Sequence, residues 1–270
     1  MGLINPTNKS VLSLEGLHLY HTARSNCSAR VRLLLEEKGL AWTSHHIDLG
    51  AKENISEEYF GINPKGVVPT LVRDGKVVVE SNDILVYLEE AFPEPGFRQV
   101  PDDRQAEIDY WLRQSGDLHL PAIKTFQYYN INAALLPKTE EEEKLYFSLQ
   151  KDPDMRAFHG KHSHGNSFTE DDAGEAVALL DEAFLKMNAA IADGGYIVGD
   201  AYTLADISWS TTITTLLSGG FDFTPYPNVE RWYEIILQRP QFQEAVIEWR
   251  QKATYAAGID PTIPGSSSTV

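Results

Sequence analysis

The sequence predicts an α/β domain with a mixed sheet followed by an all-α domain, and three observations predict it. The first ninety or so residues read β-α-β-α-β-β-α, the element order of a sheet with helices packed on its faces. The stretch F-P-E-P-G-F-R-Q-V-P, residues 92–101, holds three prolines in ten positions and has the composition of a linker. From Asp102 to about Lys252 glycine and proline thin out, and apolar residues recur at helical spacing. The domains expected are therefore 16–92 and 102–252, joined by 93–101 and followed by a C-terminal tail, 253–270.

Each element has a local reason. L-H-L-Y-H, residues 17–21, is a short apolar strand, and Cys27 to Lys38 repeats apolar residues at Val31, Leu34 and Leu35 until Gly39 ends the helix. Ala41 to Asp48 alternates as a second strand, and Glu53 to Phe60 is polar and helix-compatible. V-V-P-T-L-V and V-V-V-E flank the turn Arg73-Asp74-Gly75-Lys76, and two β-branched runs around Asp-Gly make a hairpin. Ser81 caps a helix, Asn82 to Ala91, whose Ile84, Leu85 and Leu88 share a face. In the second half the helical windows are 104–115, 140–150, 171–193, 204–217 and 228–239, while His159 to Asn166 has loop composition.

Composition removes several function classes. Among 270 residues, 39 acidic against 23 basic side chains give a formal charge of −16, which repels phosphate backbones and anionic lipid, so neither nucleic acid nor a membrane surface is an expected partner. No apolar run approaches a membrane span and the N-terminus lacks a signal pattern, so a cytoplasmic protein is expected. The single cysteine, Cys27, cannot close an internal disulfide. Any redox chemistry must borrow a thiol from a small molecule or another chain.

The chemistry-bearing residues gather where strands meet helices. Pro69 opens a strand and cannot donate to the ladder, which suits an edge or an irregular turn. A cis Val68-Pro69 bond would turn the Val68 amide and carbonyl outward to pair with an extended peptide; a trans edge proline is the alternative. Glu80-Ser81 sits at a helix start suited to a carboxylate, with Ser81 as a plain N-cap the simpler account. Cys27 follows Ser25-Asn26 at another helix start, where dipole and free amides lower a thiol's pKa; a buried small residue packing on the sheet is the competing account. His159, His162 and His164 lack an acidic or cysteine neighbour in sequence, and no metal site is expected.

With R-S-N-C-S-A-R-V-R after the first strand, N-P-K-G-V-V-P-T-L before the hairpin, E-S opening the third helix and G-D-A-Y-T-L-A-D-I-S in the helical half, the chain resembles the cytosolic glutathione S-transferases over roughly residues 16–250. The resemblance implies a thioredoxin-like domain holding glutathione as co-substrate, a helical-bundle domain shaping the second substrate's pocket, and a homodimer acting in detoxification. It implies that Val68, beside a cis Pro69, pairs its backbone with the cysteinyl part of glutathione. By the same carry-over Glu80 and Ser81 hold the γ-glutamyl end and Lys65 reaches the glycyl carboxylate, a surface lysine being the alternative. Thr203 and Asp206 match the family's internal capping box, a folding role.

Within the family, S-N-C-S-A-R-V-R is similar to the zeta-class pattern, to tetrachlorohydroquinone reductive dehalogenases, which align a cysteine with Cys27 and share His164-Gly165-Asn166, and to bacterial β-etherases. The resemblance implies attack of a glutathione thiolate, stabilised by Ser25 with Asn26 or Cys27, on a hydrophobic or aromatic electrophile. Two alternatives stay open: glutathionyl reduction, dehalogenation or ether cleavage dependent on Cys27, and a non-catalytic glutathione-binding or ligand-carrying protein. Arg24 and Arg30 flank the site and either attract carboxylates or pair on the surface. His119, Phe126, Tyr128 and Tyr129 are candidates for an aromatic acceptor pocket, whereas Tyr20, Trp209 and Trp232 are expected to pack.

Overall fold

The computed structural model describes residues 2–132, 136–163, 167–192 and 195–252. Its sheet has five strands in the order β1-β5-β4-β2-β3, comprising β1 (Leu3–Ile4), β2 (Leu17–His21), β3 (Thr43–His46), β4 (Thr70–Arg73) and β5 (Lys76–Val78). β2 runs parallel to β3 and antiparallel to β4, and Tyr20 pairs with both His45 and Thr70. Side chains alternate across this sheet as pleating requires. Leu17, Leu19, Leu71 and Val78 turn to the face covered by α1 (Asn26–Glu37) and α3 (Ser81–Ala91). Val72, Val77 and Val79 turn to the other, against Val11, Tyr59 and Ile62 around α2 (Glu57–Phe60).

The helical half contains α4 (Gln105–Asp117), α5 (Glu140–Leu149), α6 (Pro153–Lys161), α7 (Glu170–Ala190), α8 (Leu204–Ser218) and α9 (Pro227–Leu237). α8 is buried on nearly every side, although five of its buried residues are Ser208, Ser210, Thr211, Thr212 and Thr214. The hydroxyls of Ser210, Thr211, Thr212 and Thr214 bond back to carbonyls three or four residues earlier, as in Thr214 Oγ1 to Ser210 O at 2.9 Å, and that of Ser208 donates to Asn82 Oδ1, so a polar helix survives inside the core. Thr203 and Asp206 form the capping box that starts it. One continuous apolar core runs from Leu19 and Leu34 through Ile84 and Trp111 to Phe184, Trp209 and Trp232, so the two halves share an interior. Among the described residues no helix is long and apolar enough to cross a membrane.

Several expectations need correcting. The expected helix from Glu53 shrinks to Glu57–Phe60, because Ser56 takes the cap by accepting from Tyr59 N and leaves residues 53–55 in turns. Ser81 is not a helix cap: α3 begins at Ser81, and Glu80, at φ 64°, is the capping position. His159 to Lys161 are helical, closing α6, whose N-cap Asp152 accepts from Met155 N. The linker composition around 93–101 does not give a loose joint, since the buried Lys38 ammonium donates to Phe92 O and Pro95 O at 2.7 Å and pairs with Glu89 at 2.7 Å. His164, Gly165, Asn166 and the tail 253–270 lie outside the described residues.

Candidate functional site

A cleft of about 730 Å³ opens where the N-terminus of α1, the β4 entry and the start of α3 face the end of α4. Ser25 caps α1 by accepting from Ser28 N at 3.2 Å. That cap sets Asn26 and Cys27 in the first helical turn, and both line the cleft. Capping uses a lone pair of Ser25 Oγ and leaves its O–H able to donate.

Cys27 Sγ lies 3.7 and 3.8 Å from the two ring nitrogens of His119. His119 stands at the point where α4 gives way to a wide π-type turn, His119–Lys124, containing Pro121; such turns re-aim side chains and recur at functional sites. Behind the sulfur is Arg30, only 1% exposed. It donates to Ser81 Oγ at 2.9 Å, Asn82 Oδ1 at 3.0 Å and Thr212 Oγ1 at 3.3 Å. Asn82 in turn donates to Leu112 O and Ser115 Oγ and accepts from Ser208 Oγ at 3.1 Å. One buried polar network thus ties α1, α3, α4 and α8 together beneath the cleft.

Burial acts most strongly on the Cys27 thiol and raises its pKa. The charge and hydrogen bond of His119, the Arg30 guanidinium and the Ser81 hydroxyl act the other way and prevail, bringing the thiol from 9.0 down to about 6. The balance of these influences favours the Cys27 thiolate at neutral pH. Asn26 is 6% exposed, and its Nδ2 has no hydrogen-bond partner among the described residues. A buried donor without an acceptor costs roughly 1–3 kcal/mol, so a site fitted to an acceptor-bearing ligand explains it.

The other predicted residues line the same cleft: Lys65, Val68, Pro69, Glu80 and Ser81. The Val68-Pro69 bond is cis, and Val68 stands just before Thr70, the first β4 residue paired with β2. Glu80 holds a left-handed backbone at φ 64°, a conformation costing about 1–3 kcal/mol for a residue with a side chain. The Lys65 ammonium is already paired, with Glu80 at 2.9 Å and with Asp152, at the start of α6, at 3.5 Å. Burial lowers the Lys65 pKa, but these two carboxylates outweigh it and the net shift is upward. Ser81 meets Arg30 and the Cys27 sulfur, so its hydroxyl already serves the thiol.

The four aromatic candidates part company. His119 and Tyr128 line the cleft; Phe126 packs in the core on Phe221, and Tyr129 is exposed. Tyr20 stacks on His45 with ring centroids 4.4 Å apart, away from the thiol. Arg30 is neither a surface ion pair nor a lure for carboxylates, because it is sealed in. Lys124 is a site residue the sequence did not suggest; it lies five positions past His119 on the same turn. His159 and His162 bond to each other through ring nitrogens 2.9 Å apart, and no group of His, Cys, Asp or Glu among the described residues is arranged to hold a metal.

Comparison with known proteins gives the lineage. The profile "Glutathione S-transferase, N-terminal domain" matches residues 19–96, and "Glutathione S-transferase, C-terminal domain" matches 131–240. The tetrachloro-p-hydroquinone reductive dehalogenase of Sphingobium chlorophenolicum is 30% identical over 239 residues, 84% of this chain and 94% of the relative. A probable maleylacetoacetate isomerase of Caenorhabditis elegans is 31% identical over 226 residues, 83% and 90% of the two chains. Among solved structures, the β-etherase LigF of Sphingobium sp. strain SYK-6 superposes with a TM-score of 0.75 at 26% identity, covering 85% of this chain and 98% of that one.

Proposed function

The chain belongs to the glutathione S-transferase family and uses glutathione as co-substrate, and from that premise we propose that Cys27 is its working thiol, in a reaction that takes glutathione off an aromatic or carbonyl-activated conjugate. The observation that carries this reading is the Cys27 sulfur, held in the cleft between His119 and Arg30, whose influence favours its thiolate. It also accounts for a lone cysteine, because the second thiol is supplied by glutathione.

The steps balance. The Cys27 thiolate attacks the sulfur of the conjugate; a disulfide forms between Cys27 and glutathione, the sulfur–carbon bond breaks, and its electron pair leaves on a carbon stabilised as an enolate, which takes a proton. A second glutathione thiolate then attacks the mixed disulfide, releasing glutathione disulfide and the Cys27 thiolate. Carbon gains two electrons and two thiols lose them. His119 and Arg30 hold negative charge on the cysteine sulfur at the start and end of the cycle, and the unpartnered Asn26 amide is placed to donate to the incoming peptide. Val68, Pro69, Glu80 and Ser81 frame the peptide's path, with Lys65 reaching it only by exchanging partners with Glu80. The relative named as a reductive dehalogenase supports a reduction over simple capture of an electrophile. The same reading places a homodimer in the cytoplasm, where a reducing milieu keeps the free thiol available.

The test uses S-phenacylglutathione with excess glutathione, reading acetophenone and glutathione disulfide. Cys27→Ser should fall to the uncatalysed rate, and single turnover of the natural protein should leave glutathione disulfide-bonded to Cys27, seen in intact mass. Ser25→Ala should keep turnover and lose only the stability of an N-cap, about 1 kcal/mol. Full activity in Cys27→Ser, with none in Ser25→Ala, would transfer the role to the serine hydroxyl.

A further inference from the structure

We propose that the half of the cleft beyond Cys27 selects an aromatic substrate bearing an ionised oxygen, a carboxylate or phenolate, with Lys124 as the counter-charge. This rests on the cleft being the substrate site, as proposed above, and not on which thiol reacts. The walls there are apolar: Leu120, Ile123, Tyr128, Tyr146 and Met155 line the same space as Lys124. Within them the Lys124 ammonium sits 4.8 Å from the Phe158 ring centroid and 5.6 Å from that of Tyr128. It has no carboxylate partner among the described residues.

An ammonium held only by ring faces in an apolar pocket is under-compensated. Burial accordingly pulls the Lys124 pKa down to about 8, and Lys138 adds repulsion. The neighbouring imidazoles are no source of negative charge, and burial, which lowers His162 to about 4 and His159 well below its ordinary range, keeps them from adding positive charge. The one anion that acts on Lys124 is the Cys27 sulfur, which raises its pKa; ammonium and sulfur therefore face one space. A flat ring lying along Leu120 and Ile123 with its anionic oxygen at Lys124 would present its other end to the thiol. The protein's net charge of −16 repels anions at long range, so anion preference here must be a local property of the pocket, in which Lys124 is the most deeply buried ammonium.

Equilibrium binding of 4-nitrobenzoate, 4-nitrophenolate and the neutral 4-nitrobenzamide to the full-length, glutathione-saturated protein tests this. At least one anion should bind roughly tenfold more tightly than the amide, the value of a hydrogen bond to a charged group, and the arm that shows the gap identifies the oxygen. Lys124→Met should close the gap and Lys124→Arg should keep it. The proposal is overturned if the amide binds natural protein as tightly as both anions, which needs no variant to fold, or if the gap survives in Lys124→Met. Turnover of S-phenacylglutathione, whose phenacyl group carries no charge, reports on Cys27 separately, so the two readings fail on different measurements.

Discussion

Replacing His119 with Gln removes the partner that does most to lower the Cys27 thiol. The natural thiol stands at about 6 against an ordinary 9.0, a difference of about 3 pH units or ~4 kcal/mol between its two protonation states. At pH 7 roughly nine in ten Cys27 side chains are thiolate, against about one in a hundred at the ordinary value. Thiolates of low pKa are also weaker nucleophiles, with a Brønsted coefficient of roughly 0.4–0.5, so each natural thiolate reacts about 20-fold more slowly than an unperturbed one. His119→Gln should therefore move the midpoint of the pH–rate curve upward from about 6, and even a full return to 9 would lower the rate at pH 7 only about fivefold. Its alkaline plateau should rise by roughly 20-fold. Reaction with dithiodipyridine, followed by thiopyridone absorbance from pH 4 to 10, reads all three. The depressed thiol also links to stability: its contribution is fully present above pH 9, fades as pH falls through about 6, and is about 1 kcal/mol at pH 7. A His119→Gln midpoint within half a unit of the natural one would refute the pairing.

Two further substitutions test the frame that positions the site. Lys38→Met removes the buried ammonium that holds Phe92 O, Pro95 O and Glu89; stranding Glu89 should cost about 3–5 kcal/mol and expose the 92–98 connector to proteolysis, and a loss under 1 kcal/mol in denaturant unfolding would contradict it. Asp206 accepts from Ile197 N and Trp232 Nε1 through one oxygen and from Thr203 N and Oγ1 through the other. Burial nonetheless dominates and raises its carboxyl from 3.8 to about 6. Because the folded pKa is raised, its contribution is full below pH 3.8 and is lost as pH rises through 6, a change of about 3 kcal/mol. Asp206→Asn should flatten that slope and cost roughly 1–3 kcal/mol at pH 7 through the orphaned Thr203 donors; equal slopes in unfolding curves at pH 4 and 7 would disprove the linkage.

Local pattern made β2 to β5 and α1 legible, because each is fixed by residues within a dozen positions, while the capping box of α8 came with the family resemblance. β1 escaped: two residues, Leu3 and Ile4, carry no period, and only pairing with Val78 and Val77 makes them a strand. The position of Ser81 also escaped, since its side chain is recruited by Arg30 from another helix while the backbone of Glu80 takes the cap. His119 lies 92 residues from Cys27, and no spacing rule joins them. Lys124 reads in sequence as an ordinary helix-surface lysine; only packing of Tyr128 and Phe158 around it turns it inward.

Arg30 links the chemistry to the fold. A guanidinium sealed from water needs a counter-charge, and removing one from a buried site leaves a penalty of several kcal/mol. Its hydrogen bonds to Ser81, Asn82 and Thr212 all go to neutral oxygens, and among the described residues its Nε has no hydrogen-bond partner and it makes no carboxylate contact. Burial accordingly depresses the Arg30 pKa, and the opposing influence is the Cys27 sulfur, three residues earlier on the same helix face. Ionising Cys27 therefore supplies the anion that the network under α1, α3, α4 and α8 lacks, and the charge that makes the sulfur reactive is the one that completes the interior. In the cycle proposed for Cys27, forming a disulfide with glutathione would withdraw that anion. The mixed disulfide would leave Arg30 uncompensated, favouring its resolution by a second glutathione and return to the thiolate.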